Sequence, residues 1–372
     1  MSLTAGIVGL PNVGKSTLFN AITNSNVLAE NYPFATIEPN TGVVEVNDPR
    51  FDALVDMFKP KKQVKATFEF TDIAGLVKGA SHGEGLGNQF LGNIRNTDMI
   101  IHVVRCFDSS LINTYNGRSV DPIVDLNEVN LELILSDMEV LKKRLEKIER
   151  TAIMTKDKEK LLEVSAIKKL LEWFNSEKMA KDCPLSIDEK ECLKNFNLIT
   201  SKPMLYVANV DEESYANPEN NSYYKRLKEY AESQNTICIP VSALTEEELS
   251  KVSAEDRKEY LDSLGMSQTG LDRITMASYH QLGLRTFFTC GSDEVRAWTF
   301  HDGYTAPNCA GIIHTDFEKT FIKAEVYAYD DLIKYGSELK VKENGKLQIV
   351  GKDYLVKDGD ILYIKAGASK KW

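Results

Sequence analysis

The 372-residue sequence predicts an α/β fold, interrupted by an inserted helical hairpin and followed by a small module of short strands. Three observations carry that expectation. An apolar strand run, Ala5-Gly6-Ile7-Val8, passes through Gly9-Leu10-Pro11-Asn12-Val13-Gly14-Lys15-Ser16 into a helix start, Leu18-Phe19-Asn20-Ala21-Ile22. Leu131, Ile134, Met138, Leu141, Leu145 and Ile148 alternate three- and four-residue spacings, the seam of a coiled helix. From Arg285 onward, strand-like runs recur between turn residues.

The first element carries the sharpest chemistry. G-x-x-x-x-G-K-S between strand and helix is a P-loop, so the expected fold is a P-loop NTPase with a Ras-like G domain. Gly9 and Gly14 let backbone N–H groups wrap phosphates, and the helix N-terminus adds partial positive charge. Pro11, Asn12, Val13 and Thr17 complete the nucleotide-binding loop. Lys15 is expected to reach the β- and γ-phosphates, and the Ser16 hydroxyl to bind Mg²⁺.

A second strand, Ala66 to Thr71, leads into Asp72-Ile73-Ala74-Gly75. Asp72 is the expected carboxylate on the metal side, and the Gly75 N–H the expected contact to the γ-phosphate. Between the two motifs lies Tyr32-Pro33-Phe34-Ala35-Thr36, where Thr36 is chosen over Thr41 to complete the Mg²⁺ shell. After Gly75, a Ras-like enzyme places a Gln that orients the attacking water; here Leu76 cannot. The glycine-rich run Gly79 to Asn88 contains His82, read as a solvated loop histidine rather than a catalytic one.

Together, GLPNVGKS, DIAGLVKGA and GEGLGNQFL resemble the Obg-related translation-factor GTPases. With Phe34 to Gly42 and the loop at Asn209, the resemblance narrows to the YchF or Obg-like ATPase subfamily and runs over nearly the whole chain. It implies ATP as substrate, the apolar residue at Leu76, Mg²⁺, and a K⁺ ion held with help from Asn12. Such an ion would neutralise developing phosphate charge, so Lys15, Gly75 and Asn12 form the expected catalytic set. It also implies association with the ribosome, its large subunit in particular. Some members carry a catalytic His after the strand Val103 to Phe107; Ser109 to Tyr115 contains none, so that role is not carried over.

The strand Met204 to Ala208 delivers Asn209-Val210-Asp211-Glu212, at the place of the guanine-reading Asn-Lys-x-Asp. The Asp of that motif accepts from guanine N1–H and its 2-amino group. Val210 lacks the lysine stem that packs along the base, and Glu212 is one methylene too long for the guanine edge. Guanine preference should therefore be lost. Reading of the base by Asp211, one place earlier, is the competing view. Ser242-Ala243, after the strand Thr236 to Pro240, matches the loop that closes over the base.

The domain order then reads 1–125 and 201–284 for the nucleotide domain, 126–200 for an antiparallel coiled-coil hairpin, and 285–372 for a module resembling the TGS domain, a β-grasp fold. The second hairpin helix carries Leu161, Val164, Ile167, Leu171 and Phe174. Basic and acidic residues balance over 285–372, so RNA contact through this module or the hairpin needs a local face. Trp298 reads as core more readily than as a base-stacking platform.

Composition narrows the classes. With 27% charged and 42% hydrophobic residues the chain is an ordinary globular one, and a net charge of −10 disfavours indiscriminate nucleic-acid or membrane binding. No apolar run approaches the ~20 residues of a membrane span, and no secretory pattern opens the chain. Six cysteines without C-x-x-C spacing are expected as free thiols of a cytoplasmic protein. The expected function is an ATP-hydrolysing switch on the translation machinery. A GTPase of the same fold and a nucleotide-gated adaptor with incidental hydrolysis are the competing readings.

Overall fold

The computed structural model describes residues 3–24, 41–72, 86–109 and 117–367. These divide into two compact units, one from the described residues of 3–24, 41–42 and 69–274, the other from those of 43–68 and 275–367.

The first unit is built on a sheet of β1 (Thr4–Val8), β2 (Thr41–Glu45), β4 (Thr67–Asp72), β5 (Met99–Arg105), β6 (Met204–Asn209) and β7 (Cys238–Val241), in the order β2-β4-β1-β5-β6-β7. From β4 to β7 each neighbouring pair is parallel. Every residue of β5 and of β6 is buried. This is why MIIHVVR and MLYVAN read as continuous runs rather than alternating ones: helices cover both faces of such a sheet. Strand order reverses about β1, with β4 on one side and β5 on the other, and a crevice opens at such a switch point.

The inserted arm is α4 (Pro122–Thr155) and α5 (Lys158–Phe174). Asp121 caps α4 by accepting from the Ile123 and Val124 N–H groups at 3.1 and 3.3 Å, and Pro122 opens the helix, where its missing N–H costs nothing. Lys156, at φ 52°, turns the chain, and Asp157 caps α5. The buried stripe of α4 includes Ile134, Leu141, Ile148 and Ala152, and α5 answers with Val164, Ile167, Leu170 and Phe174. Two expected seam residues lie elsewhere: Leu131 and Leu161 are each 39% exposed. Leu170 takes the buried place expected of Leu171, a 100° change of direction on a helix.

Asp137, fully buried on α4, anchors the arm. It pairs with Arg95 at 2.9 Å and accepts from Ile199 N, Thr200 N and the Thr200 hydroxyl at 3.1, 2.8 and 2.7 Å. These bonds tie α4 to the segment returning to β6. The helical stretch expected over 246–283 resolves into α9 (Ala243–Leu249), α10 (Ala254–Ser263) and α11 (Gly270–Gln281).

The second unit holds a mixed sheet of β3 (Lys62–Val64), β8 (Leu284–Cys290), β9 (Glu294–His301), β10 (Phe321–Ala328), β11 (Gln348–Val350) and β12 (Asp360–Ala366), ordered β11-β10-β12-β8-β9-β3. Phe287, Phe300, Phe321, Val326 and Leu362 pack with Ala306, Cys309 and Ala310 of α12 (Ala306–Ile313) in one core. Short strands recur beyond Arg285, as expected. After Thr305 the chain forms two helices, α12 and α13 (Thr315–Lys319), because His314 between them is extended at φ −158°, ψ 134°. Two short helices, Tyr329–Tyr335 and Glu338–Glu343, were not anticipated. Trp298 stacks on Phe287 with centroids 6.2 Å apart and donates from Nε1 to Thr289, while Arg296 lies over its ring.

One stretch assigned to the nucleotide domain from sequence packs in the second unit instead. Between β2 and β4, residues 46–66 carry α2 (Pro49–Phe58) and β3, and β3 pairs in parallel with β9. Arg50 binds both Asp48 and Asp358, at 2.7 and 2.8 Å, and lies over the Phe288 ring. The apolar residues Phe51 and Leu54 are buried. Residues 275–284 also join this unit, ahead of the boundary expected at 285.

Candidate nucleotide site

A cavity of 660 Å³ opens at the carboxyl ends of the parallel strands of the first unit, and each strand delivers part of its wall. The P-loop leaves β1 and contributes Asn12, Gly14, Lys15, Ser16 and Thr17; β6 contributes Asn209 to Glu212; the segment after β7 contributes Ser242 and Ala243.

Why glycine is needed is plain at two positions. A Cβ on Gly9 would lie 2.4 Å from the Val103 carbonyl oxygen, and one on Gly14 would lie 2.2 Å from Asn209 Nδ2. Gly14 also has φ 99°. The loop then enters α1 (Lys15–Asn24) through the bond from Leu18 N to Gly14 O at 2.9 Å. Pro11 and Val13 face away from the cavity, toward a minor crevice with Arg105 and Arg118.

Lys15 is buried and donates from Nζ to Leu10 O at 2.7 Å. Burial lowers its pKa to about 8 against the opposing pull of Asp72. Burial raises the Asp72 carboxyl in turn, with Lys15 opposing. Ser16 and Asn12 are exposed at the cavity, and Asn12 is held at φ 63°. Thr36, Gly75, Leu76 and His82 lie outside the described residues, as does the loop after Ser109 up to 116.

Asn209 joins the loops after β6 and β7 to the P-loop. Its Nδ2 donates to Val13 O at 2.8 Å, and its Oδ1 accepts from Ala243 N at 2.9 Å. The adjoining backbone continues the tie, with Val210 N donating to Val241 O. Val210 is itself buried. Asp211 caps the short helix α7 (Glu212–Tyr215) by accepting from Ser214 N at 2.8 Å, so one of its oxygens is already engaged. Glu212, the first residue of α7, stands exposed on the cavity wall.

Sequence reasoning missed four residues of that wall and one behind it. Phe107, Asp108 and Ser109 follow β5, and Leu244 follows the closing loop. Phe107 is held by Arg105, whose guanidinium lies 4.7 Å from the ring centroid and donates to Phe107 O. The signal was available: an aromatic residue directly beyond a fully buried central strand marks the crevice of a parallel sheet. His102, within β5, is buried edge-on to Tyr206, and burial with Lys15 nearby lowers its pKa to about 3. It therefore stays neutral and adds no charge beside the lysine.

Two family models match separate parts of the chain. Residues 4–156 match the family model described as 50S ribosome-binding GTPase. Residues 284–367 match the model for the C-terminal domain of YchF GTPases, described as a protein of unknown function. The chain is 50% identical over 365 residues to the ribosome-binding ATPase YchF of Bacillus subtilis, covering 98% of this chain and 99% of that one. It is 46% identical over 362 residues to the protein of the same description from Escherichia coli O157:H7, covering 97% and 98%. Among solved structures, the YchF GTPase of Schizosaccharomyces pombe matches with a TM-score of 0.86 at 39% identity, over 98% of each chain.

Proposed function

The chain belongs to the YchF family, and from that premise we propose that it is a cytoplasmic switch that binds ATP in preference to GTP, hydrolyses it slowly, and associates with the ribosome. The observation that carries the nucleotide reading is the Asn209 clamp. A side chain 196 residues from Val13 ties an intact P-loop to the closing loop, while Glu212 stands where a guanine reader keeps Asp. A degraded site has no reason to retain those bonds. The architecture is kept and the guanine-specific carboxylate displaced. Phe107 and Leu244 offer the flat face of a base apolar contact that does not depend on its edge.

In this reading Lys15 and the P-loop N–H groups neutralise the charge that builds on the transferring phosphoryl oxygens. Ser16 and Asp72 present the hard oxygen donors that suit Mg²⁺, with Thr36 assigned as the third. Bound there, Mg²⁺ supplies further neutralisation of the β- and γ-phosphates. Asn12, exposed on the cavity wall, is assigned to a K⁺ ion. Gly75 N–H is assigned to the γ-phosphate. With Leu76 in place of a water-orienting Gln, intrinsic turnover is slow.

Titrating ATP and GTP against wild type and Glu212→Asp tests the substrate. ATP should bind more tightly to wild type, and the variant should gain GTP affinity. Tight GTP binding by wild type would overturn the assignment. A guanine reading has one observation on its side, since Glu212 keeps a carboxylate on the cavity wall. Single-turnover hydrolysis with and without K⁺ and ribosomes tests the switch: stimulation is expected, and indifference to both would leave a nucleotide-gated adaptor.

A further inference from the structure

Behind the base loop lies a buried carboxylate that no role above absorbs. Glu246, on α9, is 3% exposed. Its Oε1 accepts from the Tyr215 hydroxyl and, at 2.6 Å, from Gly270 N; its Oε2 accepts from Leu271 N at 3.1 Å. Gly270 N also reaches the Tyr215 oxygen at 3.0 Å. Among the described residues no Lys or Arg forms an ion pair with Glu246. Its charge is met instead by the first N–H groups of the 12-residue helix α11 and by a phenol. Burial still raises the Glu246 carboxyl above its ordinary pKa. Gly270 has no room for a side chain: a Cβ there would lie 2.8 Å from both Glu246 Oε1 and Val241 Cγ2.

The connectivity of this knot is informative. Tyr215 is the last residue of α7, whose first is Glu212. Glu246 sits one turn into α9, whose N-cap is Ser242 and whose first residue is Ala243. The two loops that border the base side of the cavity are thus tied at both ends of α7. On the cavity side Asn209 binds Ala243 N, and on the far side Tyr215 binds Glu246. The Val210 N–Val241 O bond holds the start of the loop through the backbone, and the Tyr215–Glu246 bond holds the far end of α7, so together they set where Glu212 and Leu244 stand. A neutral or apolar residue would fill a buried site at less desolvation cost, so stability alone is a weak reason for a carboxylate there.

We propose that Glu246 and Tyr215 form a positioning pair that sets the geometry of base recognition, α11 serving as its fixed abutment. The proposal rests on reading 209–212 as the base loop. It makes no demand on which base is preferred.

The test measures calorimetric affinities of ATP, GTP and inorganic tripolyphosphate, each with Mg²⁺, for wild type, Tyr215→Phe and Glu246→Gln. Each variant should lose about tenfold or more in ATP affinity, in line with the loss of a hydrogen bond to a charged group, and its ATP-to-GTP ratio should move toward one. Tripolyphosphate, which makes no base contact, should bind all three proteins alike. Unchanged nucleotide affinity in the variants would overturn the pair's role, as would an equal loss for tripolyphosphate, the mark of general damage to the P-loop. If wild type shows no preference for ATP, the substrate reading fails, and the pair is still judged by nucleotide against tripolyphosphate. Should Glu246→Gln not fold, Tyr215→Phe, which removes one hydroxyl, decides alone.

Discussion

Lys15 is surrounded by reasons to be neutral and by one reason to be charged. Burial drives its pKa down to about 8, and Asp72 pulls it up. Because the folded value lies below the unfolded one, the cost of the buried charge is fully present below pH 8 and is relieved as pH rises toward 10.5. The nucleotide-free protein should therefore gain stability from this group over that window. Phosphate binding runs the other way. A triphosphate raises the lysine's pKa again, so ATP affinity should fall above pH 8 with net proton uptake. Calorimetry in buffers of different ionisation enthalpy reads that uptake, and Lys15→Met should abolish it. Gly14 and Asn209 make a second pair at this scale. Gly14→Ala would drive its Cβ into Asn209 Nδ2, and loss of nucleotide binding is the expected result in a fluorescence titration. Asn209→Ala leaves Ala243 N buried without its acceptor, a cost of about 1–3 kcal/mol by chemical denaturation. Sequence reading identified Gly14, Lys15 and Asn209 because their motifs are short and stereochemically demanding. It passed over Phe107 and Leu244, whose roles depend on which strand end adjoins which.

Among the elements, the α4–α5 arm shows how far periodicity reaches. Both helices and their turn were legible, since caps and apolar spacing are local properties of the chain. The buried face was only partly so. Spacings of three and four both keep a residue on one face, so periodicity alone does not choose between the adjacent leucines, and packing buries Leu170 where Leu171 is expected. Leu141→Ala and Leu170→Ala should each cost about 2–5 kcal/mol in urea unfolding, whereas Leu131→Ala and Leu161→Ala should cost less than about 1. Equal costs at all four positions would restore the seam expected from sequence.

For the whole chain, order along the sequence and order in space part company at 46–66. These residues precede the Asp72 motif, yet α2 and β3 complete the sheet of the second unit, with Arg50 bound to Asp358. A fragment of residues 275–372 alone would lack β3 on the β9 edge and the buried side chains Phe51 and Leu54. It should show no cooperative thermal transition by circular dichroism. A fragment melting like the intact unit would show the segment to be dispensable. The sequence by itself determined the P-loop, the loop that Asn209 opens after β6, the helical arm and the terminal strands. Each is written in neighbouring residues, where backbone stereochemistry and side-chain period act directly. Only the tertiary structure decided that Asn209 would bind Val13 across 196 residues, that Glu246 would meet Tyr215 and α11, and that β3 would join the C-terminal sheet. Those pairings come from packing between distant segments, which no local pattern specifies.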